Sequence, residues 1–159
     1  MIITISRQAG TNGSLIGRLV AERLGLHVFD RELTDELARR LQVEEEVVTH
    51  FDESTLSPVD AILMEWRTAV NEETYHRFLL HAFERIVAMG NAVVIGRGSS
   101  LALHGPLVYH VRLVGPEEMR VAIYRAQYNL PSDEDARHTL RRDDRARAHF
   151  VRQHFHRDI

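Results

Sequence analysis

The start of the chain, Ile2-Ile-Thr-Ile-Ser6-Arg7-Gln8-Ala9-Gly10-Thr11-Asn12-Gly13-Ser14-Leu15-Ile16-Gly17, places a polar glycine loop between a β-branched apolar run and a helical pattern. Strand, loop and helix in that order aim backbone N–H groups and the positive end of a helix dipole at one point, which suits an anion such as phosphate. The complete phosphate-loop pattern, G-x-x-x-x-G-K-[ST], adds a lysine for the transferring phosphate and a hydroxyl for magnesium. With Gly13 set on the second glycine, Ser14 falls at the lysine, Leu15 at the hydroxyl and Gln8 at the first glycine. The cradle is present; its cation and its metal hook are not. A glycine at a first β–α turn also serves simply to make the turn, so the loop alone does not decide.

Any charge brought to that anion must be guanidinium, because all 20 basic residues are arginine. Arginine can replace lysine there, since its planar fork binds two phosphate oxygens together. Arg97 follows the apolar run Ala92-Val-Val-Ile95, inside Gly96-Arg97-Gly98, at a strand end where open α/β sheets place ligands. The segment Arg141-Arg142-Asp143-Asp144-Arg145-Ala146-Arg147 is expected to carry Arg141, Arg145 and Arg152 on one helical face. A solvated helix laced with i,i+4 pairs such as Asp143–Arg147 accounts for the same run. Loop, strand-end arginine and arginine helix together favour a phosphate lid.

Charge distribution supports a local anion site. Asp30 to Glu73 holds thirteen acids against four arginines, whereas Arg137 to Ile159 holds seven arginines against three acids, in a chain of net charge −3. The 159 residues are 44% apolar and 27% charged, as in a globular domain that buries a core. No cysteine is present, which excludes disulfides and thiolate metal sites. The chain shows neither a leader pattern at Met1–Arg7 nor an apolar run near the roughly 18 residues of a membrane span. A cytoplasmic protein without membrane partners is expected.

The elements that must position these residues are legible from patterning. Residues 2–5, 27–29, 92–95 and 108–114 are predicted strands. A helix with apolar Leu15, Ile16, Leu19, Val20 and Leu24 is stopped by Gly25. Asp30 is placed to cap a helix from Arg31 to about Leu41, and Glu44 to about Phe51 reads as another. A long helix runs from Ser57-Pro58 toward Met89, carrying Trp66, Tyr75, Phe78 and Phe83 for core or dimer packing. Gly115-Pro116 opens a helix with Glu117 and Glu118 in its first turn, and Pro131-Ser132 precedes a last one, Asp133 to about His154. Strands alternating with helices imply an α/β fold with a parallel sheet in a single domain.

In these motifs the chain resembles the cytidylate kinase-like family, a divergent branch of the P-loop nucleoside monophosphate kinases. The matching stretches are residues 3–25, 27–33, 92–103, 109–124 and 141–155, in family order. The resemblance implies a P-loop NTPase-type three-layer fold over residues 1–159 with an arginine-rich helical lid at about 131–155. It implies a phosphotransferase moving a phosphoryl group from ATP, with Mg2+, to a nucleoside monophosphate or similar small acceptor. Gly10, Thr11, Asn12, Gly13 and Ser14 would line the donor loop, with Arg7 entering it. Asp30 and Arg31 begin the monophosphate region, Arg97 faces the acceptor, and Arg141, Arg142, Asp143, Arg145 and Arg147 belong to the lid. Arg7, Arg97, Arg141 and Arg145 would then carry the catalytic charge, and no protein metal site is expected. Gly98 stands where the family pattern has aspartate. The family fold continues with one more strand and helix, so either the sequence is a piece or a second subunit, in a homodimer, completes the sheet.

Two other classes compete. A retired kinase that binds nucleotide without transferring phosphate fits the missing lysine and hydroxyl. Nucleic-acid binding through the basic last helix is disfavoured by a pI near 6.4 and by the lack of interleaved aromatics. His149, His154 and His156 match no zinc spacing.

Overall fold

A computed structural model describes residues 1–30, 40 and 72–159 of the chain. The four runs read as strands form β1 (Ile2–Arg7), β2 (His27–Phe29), β3 (Ala92–Ile95) and β4 (Val108–Leu113). They make one parallel sheet in the order β2-β3-β1-β4. Parallel neighbours need helical crossovers. Among the described residues, α1 (Gly13–Leu24), α2 (Glu72–Met89) and the single turn α3 (Ser99–Ala102) lie between strands, and α4 (Glu117–Tyr128) and α5 (Asp133–Phe155) follow β4. The helices expected between Arg31 and Phe51, the start of the long middle helix and Trp66 lie outside the described residues.

Alternation along β1 splits the core into two layers. Ile5 points to one face with Val93 and Ile95 and meets Ala21 of α1. Ile2 points to the other with Ala92 and Val94, where Leu79, Phe83 and Ile86 of α2 cover it. Phe78 and Phe83 are buried and Tyr75 packs at the edge of that cluster, so this aromatic stretch is core. A third cluster joins α4 to α5 through Val121, Tyr124, Ala136 and Leu140, with Ala9 of the glycine loop packed into it.

Local signals set the helix ends. Gly25 closes α1 in the left-handed conformation at φ 64°. Ser132 caps α5, accepting the Asp135 N–H at 3.1 Å. Among the described residues no helix is long and apolar enough to cross a membrane.

Candidate functional site

The glycine loop leaves the end of β1 and is held by its own polar groups. Thr11 donates its hydroxyl to the Gln8 carbonyl at 2.8 Å, and Gln8 accepts the Gly115 N–H at 3.2 Å. Gly10 takes φ 75°, and a side chain there would overlap the carbonyl oxygen of Arg120. Asn12 enters α1 at φ 54° without a side-chain cap on the helix start. The first amides of α1 therefore have no described side chain competing for them, the condition for receiving an anion.

Arg7 crosses the mouth of this loop. Its stem packs on Gly13, and its guanidinium lies against Gly96, where a Cβ would occupy the same space. It reaches a cavity of about 420 Å³ between the ends of β1 and β3 and the inner face of α5, a volume within the usual range for small-ligand sites. Among the described residues, Arg7, Arg97, Asp143 and Arg147 line its polar side with Ser99, Ser100 and Gln153. Leu101, Phe150, Val151 and Ile159 form an apolar wall.

Arg97 occupies the left-handed region at φ 54°, uncommon for a side chain this size, and this re-aims it at the end of β3. Its guanidinium lies 4.7 Å from the centre of the Phe150 ring and 5.9 Å from that of Tyr75. Such cation–π contacts help to orient the guanidinium. Next to it, Gly98 at φ 71° leaves space that the Phe155 ring of α5 fills. An aspartate at 98 would collide with that ring. Glycine at 98 is therefore matched by the last turn of α5 closing over the strand end.

The arginine helix does not behave as a single charged face. Asp143 and Arg147 turn into the cavity, and the expected Asp143–Arg147 pair is absent among the described ion pairs. Asp143 instead accepts the Tyr124 hydroxyl, and Arg147 reaches Asp144 at 3.5 Å. Burial and that hydrogen bond push the Tyr124 hydroxyl pKa well up. Arg141, Arg142 and Arg145 are exposed and do not line the cavity, contrary to the site role expected for them; Arg141, Arg145 and Arg152 do share a face of α5, but it is the solvent-facing one. Arg141 donates to Glu117 at 2.7 Å, and Arg142 stands 3.6 Å from Asp143. The Arg141 bond holds the Glu117 carboxyl below its ordinary value, with smaller help from Arg137 and Arg120. Arg152, the third member of that face, pairs with Asp158.

Asp30 ends β2 at the α1 side, with Arg18 at 3.4 Å, away from the cavity lining. Arg31 lies outside the described residues. Missed from sequence are Arg120 and Asp144, which join the loop to α4 and α5. Each looks like a surface charge in its helix, and only tertiary contact shows otherwise.

A parallel sheet, a glycine loop after an inner strand and an arginine helix across the strand ends define an α/β fold of the P-loop kinase type. The chain belongs to the Cytidylate kinase-like family, whose sequence profile matches residues 2–159. Among solved structures, an uncharacterized protein from Eubacterium ventriosum ATCC 27560 aligns with a TM-score of 0.73 at 17% identity, covering 100% of this chain and 82% of that one. TT1252 from Thermus thermophilus aligns at 0.51 with 21% identity, covering 90% and 79%. Shikimate kinase from Bacteroides thetaiotaomicron aligns at 0.50 with 12% identity, covering 96% and 82%. At such identities the likeness is one of fold. No curated protein matches the sequence.

Proposed function

We propose that the chain is a nucleotide phosphotransferase that binds Mg-ATP at the glycine loop and passes its terminal phosphoryl group to a nucleoside monophosphate or similar small acceptor. The observation that carries this reading is the convergence of Arg7, Arg97 and Arg147 on one cavity, with the stem of Arg7 packed on Gly13 at the start of α1; Gly10 to Ser14 do not themselves line that cavity. Phosphoryl transfer asks for positioning and charge neutralisation rather than a covalent intermediate. Amides of Gly10 to Ser14 would take the donor phosphates, and Arg7, in place of the absent lysine, would bridge toward the phosphoryl group in flight. Arg97, stacked against the Phe150 and Tyr75 rings at the end of β3, would face the acceptor. Arg147 and Asp143 would close the site from α5.

The donor set suits the phosphates better than the metal. Leu15 stands exposed where a magnesium-binding hydroxyl belongs, and the described residues contain no cluster of three metal-ligating side chains. Magnesium would arrive on the nucleotide, held by phosphate oxygens and water.

Leu15 also favours a second reading, a nucleotide binder without turnover. Purified protein incubated with Mg-ATP and a panel of nucleoside monophosphates separates the two. Acceptor-dependent ADP formation that Arg97→Ala abolishes supports the transferase. Saturable ATP binding with no ADP supports the binder, and no binding at all defeats both.

A further inference from the structure

We infer that Arg120 and Asp144 are positioning residues that set the shape of the phosphate loop and tie it to the helix carrying Arg147; this rests on the ATP site proposed above. Arg120 is only 7% exposed although it is a charged residue in the first turn of α4. A cation buried to that degree must have its donors satisfied. Its Nε donates to the Gly115 carbonyl at 3.0 Å, and one Nη donates both to the Ala9 carbonyl at 3.2 Å and to Asp144 Oδ2 at 2.7 Å. The other carboxylate oxygen of Asp144 accepts the Ala9 N–H at 2.6 Å.

Both polar groups of Ala9 are thus consumed by one ion pair, and the peptide planes on either side of it are fixed. The neighbouring Gly10 has no room to move toward α4, because its Cα hydrogen already faces the Arg120 carbonyl. The amides available to an anion begin only after this brace, from Gly10 through the start of α1. Asp144 adjoins Asp143 and lies one helical turn before Arg147, both of which line the cavity. A shift of the loop must therefore move the inner face of α5, and the reverse. Neither residue touches the cavity, so both act through the loop and the helix they hold.

Mg-ATP titrated calorimetrically into the full chain tests the brace, with the ligand-free Tm measured alongside. Asp144→Asn keeps an acceptor for Ala9 but removes the charge facing Arg120, and Arg120→Lys keeps the charge but loses the fork. In the folded protein each is expected to weaken ATP binding about tenfold or more. A purely structural role would lower Tm while leaving the affinity of the folded fraction unchanged, and that result overturns the inference alone. Wild type that fails to bind ATP overturns the function reading and this one together. If the variants do not fold, hydrogen exchange on the wild type decides. Mg-ATP should protect residues 8–14 and 140–147 together, and protection of the loop without the helix refutes the coupling.

Discussion

The two faces of α5 are built from the same residue types and do opposite things. On the inner face, Asp143, Asp144 and Arg147 meet the cavity, the glycine loop and α4, over the apolar contacts of Leu140, Phe150 and Val151. On the outer face, Arg141, Arg145 and Arg152 stand in solvent or on single surface acids. A count of arginines does not separate these faces. Convergence with a strand end and a backbone cradle does, because charge acts strongly only where water is partly excluded and several groups share one target.

The comparison can be broken at several points. The largest effect is expected where the inner face meets the strand end. Gly98→Asp should cost roughly 3 kcal/mol or more, since it strains a left-handed residue and overlaps Phe155. The double change with Phe155→Ala should recover part of the Tm lost by Gly98→Asp alone, and a double variant less stable than both singles would show that the ring is not the obstacle. Next in size, Arg147→Ala should weaken Mg-ATP binding about tenfold, near the range of a charged hydrogen bond, whereas Arg145→Ala should stay within about twofold, as exposed charges usually do. Equal losses at the two positions would erase the distinction between the faces.

The smallest effect concerns acid stability on the outer face. Glu117 has a folded pKa lowered from 4.5 by Arg141. A depressed carboxyl pKa contributes stability above the unfolded value and loses it as pH falls through the folded one. Wild type should therefore lose Tm below about pH 4.5 slightly more than Glu117→Gln does. Identical acid limbs for the two proteins would discount the Arg141 contact.

Much of the fold was legible in sequence because local rules and burial agreed. Ala92–Ile95 is uniformly apolar and fully buried as β3, and Gly25 stops α1 where the periodic pattern ends. The glycine loop, Arg97 and the last helix were also readable, since each carries an unusual residue type at an element boundary. The orientation of α5 was not. Helical spacing puts Arg141, Arg145 and Arg152 on one face but does not say which face docks, and the choice is made by Leu140, Val151 and the partners of Asp144. Arg120 was hidden for a related reason. A lone arginine in an amphipathic helix reads as solvated until a loop from over a hundred residues earlier folds onto it.

The strand order also governs how the chain can assemble. Ile2 of β1 pairs with Ala92 on one side and Val108 on the other, so β1 waits for its sheet partners until about 90 further residues have been made. At about 5–20 residues per second that delay is roughly 5–20 seconds. Pairings of such long sequence separation fold slowly, and an unpaired apolar strand invites aggregation meanwhile. Shielding of Ile2–Ile5 during translation should therefore raise the yield of soluble protein.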